Sequence, residues 1–271
     1  PRVKIESARW VKIPSARTNI THLSETQMRP YRRQMQMVFQ DPFASLDPRM
    51  TVGQQIEEPL LIHCVGDKHA RQARVAELLR MVGLDREAAK RYPHEFSGGQ
   101  RQRICIARAV ALEPRLLVCD EAVSALDVSV QSQILNLISE LHTALGLTCI
   151  FIAHDLTVVK YISDTVMVMY LGQAVEIGPV DAIFRNPLHP YTKALLAAIP
   201  IPDPEAPRNE HPLEGELPSP EHPPSGCAFH PRCAFAMDVC RAAEPVLHAP
   251  STLGMPAHRV ACHLHIEVEQ P

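Results

Sequence analysis

The residues best suited to chemistry are Ser97-Gly98-Gly99-Gln100, at the head of a helix-forming stretch, and the carboxylate pair Asp120-Glu121 further along. A serine and two glycines at a helix start present free N–H groups to an anion. The glycines let the backbone come close, the hydroxyl adds a donor, and the helix dipole favours negative charge. The plainer role of the same residues is a Ser N-cap with a Gly turn. Asp120-Glu121 closes the apolar run Leu116-Leu117-Val118-Cys119, where a buried strand would not tolerate two unpaired acids. Asp120 suits Mg²⁺, directly or through water. Glu121 suits orienting and deprotonating an attacking water in nucleotide hydrolysis. His154 follows a second apolar run, Thr148 to Ala153, and is placed to donate to a γ-phosphate; a lone histidine is as readily structural. Gln40 ends a third run, Met35 to Phe39, and is ordinary on its own.

These groups need a scaffold. The three apolar runs predict strands with polar residues at their C-terminal ends, where open α/β sheets keep their sites. Arg101 to Leu112, free of Gly and Pro and with Ile104, Ala107, Arg108 and Ala111 at helical spacing, predicts the helix behind Ser97 to Gln100. Ser124-Ala125-Leu126-Asp127 leads into an amphipathic segment, Val130 to Leu145. Residues 42–112 read mainly helical, with Arg71 to Val82 amphipathic and Gly53, Gly66 and Gly83 in loops. Residues 113–185 alternate strand and helix through Thr165 to Tyr170 and Gln173 to Ile177, which predicts a parallel, helix-covered sheet.

Taken together, the motifs resemble the ATP-binding subunits of ABC transporters. Gln40 matches the Q-loop, Ser97 to Gln100 the signature, Leu116 to Glu121 the Walker B strand, Ser124 to Asp127 the D-loop, and His154 the switch histidine. The runs Val38 to Met50, Arg91 to Phe96 and Asn186 to Thr192 are similar to the F-type subunit of bacterial dipeptide and oligopeptide importers. The likeness covers roughly residues 21–265, with Ala122 where the family usually has Pro. It implies an α/β, P-loop NTPase-like ABC ATPase core with a helical subdomain and a small Cys-containing C-terminal extension. The implied divisions are 1–41 (core up to the Q-loop), 42–112 (helical subdomain), 113–185 (core with Walker B and switch histidine) and 186–271 (linker and Cys module). It further implies ATP and Mg²⁺ as ligands. Glu121, His154 and Gln40 are then catalytic, Asp120 and Gln40 contact the metal, and Ser97, Gly98, Gly99, Gln100 and Asp127 contact nucleotide. The implied partners are a second ATP-binding subunit and transmembrane permease subunits, with a periplasmic binding protein acting indirectly. The implied place is the cytoplasmic face of the inner membrane.

One part of that machinery has no counterpart. The first glycine is Gly53 and no Gly-Lys pair occurs, so the Gly-x-x-x-x-Gly-Lys-Ser/Thr loop that cradles the β- and γ-phosphates is not in these 271 residues. Residues 1–20, including Trp10 and Pro14, do not resemble the family, and the first residue is not Met. The expectation is a chain shortened or joined upstream of Thr21, inactive on its own nucleotide and fragile in isolation. The rival expectation is a catalytically dead module that lends its signature to a partner ATPase.

Composition narrows the partners. A 46% hydrophobic content supports a real core, and a net charge of -3 gives no reason to invoke nucleic acid. The clusters Arg32-Arg33 and Arg101 to Arg103 read as solvated or phosphate-adjacent surface. No apolar run approaches the roughly 18 residues needed to span a bilayer.

From Asn186 the composition shifts: 16 of the 25 prolines fall there, so Pro200 to Pro224 reads as an extended linker. Beyond it, Cys227, Cys233, Cys240 and Cys262 are separated by five, six and 21 residues. Four thiols beside a Pro-rich loop suit a metal. Zinc usually shows tighter Cys pairs, whereas iron-sulfur clusters accept wider spacing. The resemblance favours a [4Fe-4S] cluster, with Zn²⁺ as the alternative and His230, His263 and His265 as substitute ligands. Cys64, Cys105, Cys119 and Cys149 read as buried small hydrophobes.

Overall fold

The computed structural model describes residues 20–199, 216, 218–250 and 257–266. Trp10, Pro14 and most of the expected linker lie outside them. The described residues fall into two units, one ending at Val158 and one beginning at Val159.

The first unit is built on a parallel sheet with strand order β1 (Met35–Val38), β2 (Leu116–Asp120), β3 (Thr148–Ile152). Met35 lies opposite Leu116, and Leu116 opposite Thr148, so the three strands end level with one another. Val38, Leu117 and Cys119 are buried, as apolar runs in a covered sheet should be. Among the described residues no strand flanks β3 on the side away from β2.

The helices are α1 (Glu25–Gln34), α2 (Val52–Ile62), α3 (Lys68–Met81), α4 (Gly98–Val110) and α5 (Val128–Leu145). Three of them begin with the same device. Ser24/Gln27, Thr51/Gln54 and Ser97/Gln100 each form a reciprocal capping box, satisfying two end groups at once. Helix α4 buries Ile104, Cys105, Ile106, Ala107, Ala109 and Val110, and lies against α2, β1 and α5. Buried Gln55 fixes the loop that leaves β1: its Oε1 accepts from the Asp47 N–H (3.0 Å) and its Nε2 donates to the Asp47 and Met50 carbonyls.

After α6 (Leu156–Ile162), the second unit opens with β4 (Thr165–Tyr170) and β5 (Gln173–Pro179). Here the expectation of a parallel sheet across residues 113–185 fails. β4 and β5 are antiparallel, because Leu171 (φ 46°) and Gly172 (φ 79°) form a two-residue reversal, too short for a parallel crossover. β6 (Arg259–Val260) adds antiparallel to β5, and α7 (Val180–Arg185), α8 (Pro190–Ala197) and α9 (Asp238–Ala242) complete the unit. Its core gathers Val166, Val168, Tyr170, Val175, Ile183 and Phe229, with the Phe229 ring edge-on to Tyr170 at 5.2 Å.

Candidate active site

The level strand ends bring together residues far apart in sequence. Gln40 follows β1, Glu121 follows β2 and His154 follows β3. Gln40 Nε2 donates to Glu121 Oε2 at 2.6 Å, and His154 Nδ1 lies 3.2 Å from Glu121 Oε1. The carboxylate is thus held on both oxygens. Its backbone is equally constrained: Glu121 has φ 45°, its N–H donates to the Ile152 carbonyl at 3.0 Å, and its carbonyl accepts from the N–H and hydroxyl of Ser124. A left-handed glutamate costs of order 1–3 kcal/mol and persists where its surroundings over-determine it, a pattern that concentrates at functional sites. The Glu121 side chain is about a quarter exposed and His154 is mostly exposed, so the pair faces solvent.

Asp120, one residue earlier, ends β2 opposite Ile152 and is half-buried, with no hydrogen bond or ion pair to another described side chain. An unpaired carboxylate at a strand end beside Gln40 and Glu121 has the hard oxygen chemistry that Mg²⁺ requires.

Ser97, Gly98, Gly99 and Gln100 do not hydrogen-bond to Gln40, Glu121 or His154. They stand instead at the start of α4, beside the segment that opens α5. The Ser97 hydroxyl caps the Gln100 N–H (3.4 Å), and the N–H groups of Gly98 and Gly99 have no acceptor among the described residues. Packing requires the glycine at position 99 as well: a Cβ there would come within 2.5 Å of Val130 Cγ1, whereas one on Gly98 would meet Leu126 Cδ2 at an ordinary 3.6 Å. The Ser N-cap with a Gly turn is therefore present, and it leaves two donors free. Asp127 is the N-cap of α5 by backbone position, and its side chain makes no cap bond.

The arginines behind the signature are clamps rather than open surface. Arg101 donates to the Pro93 carbonyl and stacks over Phe43 at 4.0 Å; Arg103 donates to the Val82 carbonyl, and Arg108 to that of Ser45.

In the second unit the four expected thiols are gathered. Cys227 N–H donates to the Cys240 carbonyl at 2.8 Å, Gly226 (φ 69°) allows that approach, and Cys262 follows β6. Burial raises the Cys262 thiol to about 11, and the neighbouring Cys227, Cys233 and Cys240 push it the same way. Yet among the described residues no three His, Cys, Asp or Glu side chains converge as one metal ion demands. The histidines are committed elsewhere: His230 Nδ1 to the Cys227 carbonyl, His263 Nε2 to that of Ala243 and His265 Nε2 to that of Leu188. Of the remaining cysteines, Cys105 and Cys119 are buried and Cys149 is half-buried. Cys64 is exposed, in the turn after α2 with φ 53°, contrary to its expected burial.

Sequence reasoning missed a buried carboxylate. Glu176 on β5 accepts from the N–H groups of Leu188 and His189 and from His258 Nε2 at 2.8 Å. Burial opposes its ionisation, but these bonds, led by His258, hold it below the usual carboxylate range. A glutamate alternating with Val175 and Ile177 in an apolar strand was the available signal.

Comparison with known proteins identifies the family. The ABC transporter family profile matches residues 12–124, and that of the oligopeptide/dipeptide transporter C-terminal region matches residues 175–240. A probable peptide ABC transporter ATP-binding protein, y4tS of Sinorhizobium fredii, is 56% identical over 248 residues, covering 91% of this chain and 69% of that protein. The oligopeptide transport ATP-binding protein OppF of Salmonella typhimurium is 55% identical over 86% of this chain and 70% of its own length. The di/tripeptide transport ATP-binding protein DppF of Pseudomonas aeruginosa is 50% identical over 89% and 73%. Among solved structures, the ATP-binding cassette MJ0796, a dimer bound to ADP and Pi, superposes with a TM-score of 0.52 at 28% identity over 59% of this chain and 68% of its own. No helix among the described residues is long and apolar enough to cross a membrane. Identity at this level, sustained over most of the chain and on both sides of the comparison, establishes that the protein belongs to the ATP-binding subunits of ABC transporters, in the oligopeptide and dipeptide branch.

Proposed function

We propose that this chain is an ATP-binding subunit energising import of di- or oligopeptides, in which Gln40, Glu121 and His154 form the hydrolytic face of a site that turns over only where a phosphate-cradling loop is supplied. Support comes from one observation above the rest: Glu121 is gripped by Gln40 at 2.6 Å and by His154 at 3.2 Å, at the ends of three parallel strands. Glu121 takes a proton from water as the water oxygen bonds to the γ-phosphorus. The bond from that phosphorus to the bridging oxygen breaks, and ADP leaves with the electron pair. Gln40 orients the carboxylate and His154 donates to the γ-phosphate. Asp120, with Gln40, is the residue that would hold Mg²⁺, whose role is to neutralise phosphate charge.

The same reading makes the chain asymmetric. With no Gly-Lys pair in its 271 residues, nothing in it cradles phosphates before Glu121, and each lost transition-state donor costs about 2.7–4 kcal/mol. This polypeptide alone therefore turns over ATP negligibly. Ser97, Gly98, Gly99 and Gln100, with the free N–H groups of the two glycines, serve a nucleotide bound by a second ATP-binding subunit. Asp127 stands at the same junction. The transmembrane permeases dock on the helical segment 42–112, and the chain works peripherally at the cytoplasmic face of the inner membrane. We assign the cysteines of the module in 186–271 to a [4Fe-4S] cluster on their wide spacing in the sequence, where zinc sites usually show tighter pairs.

The test is to mix the chain with its cognate second ATP-binding subunit and measure phosphate release. Stimulation is expected with the wild-type chain and with Glu121→Gln, and not with Ser97→Arg. Loss of stimulated turnover in Glu121→Gln would show that the chain's own site is the active one, against the asymmetric reading. No stimulation at all would overturn the signature's role.

A further inference from the structure

The helical part of the first unit contains a pocket of about 230 Å³ that the ATP chemistry does not use. Its floor is apolar, formed by Leu60 of α2, Val65, Ala70 of α3, and Ala111 and Leu112 beyond α4. Its polar wall is made of guanidinium groups. Arg71 and Arg74 stand one turn apart on α3 and are only 16% and 17% exposed, and Arg33 enters from the last turn of α1.

These cations are incompletely matched. Arg71 uses Nε on Glu57 (2.9 Å) and Nη1 on the Gly66 carbonyl (2.8 Å), which leaves its other terminal nitrogen uncommitted. Arg74 Nη1 is bonded to Glu77 at 2.8 Å. Its Nη2 lies 3.1 Å from Glu113 Oε1, but the angle is poor enough that this buried nitrogen has no aligned acceptor. Arg33 has no ion pair among the described residues. Glu113, the only acid on the wall, is 67% exposed and holds a left-handed backbone (φ 51°), so it is a readily displaced counter-ion.

A buried guanidinium donor without an acceptor is costly, and the fork of an arginine matches a carboxylate in two-point contact. An inorganic anion would meet the guanidinium wall and leave the apolar floor wet. We infer that this pocket binds a small organic anion, its carboxylate displacing Glu113 between Arg74, Arg71 and Arg33 and its short aliphatic body resting on Leu60, Val65 and Leu112. The carboxylate belongs to a branched short-chain acid or to the C-terminus of a small peptide, two sources with the same chemistry. The site stands independently of the reading of Glu121.

Calorimetric titration of the purified chain at fixed ionic strength, with isovalerate, dialanine and inorganic phosphate as separate probes, tests it. One saturable site is expected for isovalerate, dialanine or both, and the pattern tells the two sources apart. Arg74→Met should weaken that binding by about tenfold or more. Ala70→Leu, which fills the floor and removes no charge, should weaken it to a similar degree and guards against a folding defect in the arginine variant. Saturation by phosphate alone, binding unchanged in Ala70→Leu, or no saturable heat with any probe would each overturn the inference.

Discussion

Gln40 Nε2 and Glu121 Oε2 are 2.6 Å apart although they stand 81 positions apart in the chain. This one bond joins the end of β1 to the end of β2, and in the reading proposed above it lets Gln40 orient the carboxylate. Gln40→Leu should leave the fold intact at a cost of roughly 1 kcal/mol, as for one lost hydrogen bond. In a hybrid chain given a phosphate-cradling loop, the same change should lower kcat by more than it raises KM. A KM effect alone would remove Gln40 from its positioning role.

The junction of α4 and α5 gives a sharper mechanical test. Gly99 stands where any Cβ meets Val130 Cγ1 at 2.5 Å, and a β-branched valine on a helix has little rotamer freedom to yield. Gly99→Ala should destabilise the chain by about 1–3 kcal/mol through overpacking. Val130→Ala should be mild alone and should recover most of the loss in the double variant, a coupling read by a double-mutant cycle in urea. Additive effects would mean that the glycine is kept for its free N–H rather than for packing.

How far the sequence was legible divides along physical lines. Strands β1, β2 and β3 and the helix behind Ser97 could be read because period and apolar runs are local properties, and their polar ends located Gln40, Glu121 and His154. That Glu121 is held on both oxygens depends on strand register, which no single segment carries. The β4–β5 hairpin was misread as parallel because the alternation of elements was weighed above the Leu171-Gly172 reversal. Glu176 and Gln55 are not legible locally because a buried polar residue is recognised by the partners that folding brings to it, here Leu188, His189 and His258 for the one and Asp47 for the other.

Helix α4 carries a second anomaly. Gln102 is fully buried, and both ends of its amide lack a hydrogen-bond partner. An unsatisfied buried amide costs about 1–3 kcal/mol, while methionine has nearly the same length and no such demand. Gln102→Met should therefore raise the urea midpoint. A drop in stability would reveal an ordered water, or a group supplied by another chain, bonded to this side chain.

Acid should weaken the second unit. His189, 1% exposed, is the N-cap of α8: its Nδ1 accepts from the Tyr191 N–H at 3.0 Å, and burial lowers its pKa to about 4. In the unfolded chain the same group takes up a proton near pH 6.5. Between those values the unfolded state binds the additional proton, so stability is complete above about pH 6.5 and falls as pH drops towards 4. The loss approaches roughly 3 kcal/mol at the lower end. Glu176, held below its usual range, keeps its contribution until more acid conditions. His189→Asn preserves the cap without titrating there and should flatten the pH dependence of urea stability between pH 4 and 6.5. An unchanged slope would assign the acid sensitivity to other groups.

The cysteine module offers a test that does not depend on transport. Gly226 has φ 69°, and a Cβ there would lie 2.4 Å from the Cys240 carbonyl, the same carbonyl that accepts from Cys227 N–H. Backbone cannot yield at that distance as a side-chain tip can, so Gly226→Ala should push Cys227 away from Cys240. Purified without oxygen, the wild-type chain should show broad visible absorbance and about four irons per chain, as a [4Fe-4S] cluster on four thiolates requires. Gly226→Ala and Cys262→Ser should both lose the absorbance, and Cys149→Ser, a strand residue of the first unit, should keep it. Stoichiometric zinc without iron would replace the cluster by a single ion and require the four sulfurs to close in. Neither metal, with all eight thiols titrating as free, would leave the module to its packing and hydrogen bonds, among them the Phe229 contacts and the Glu176–His258 bond.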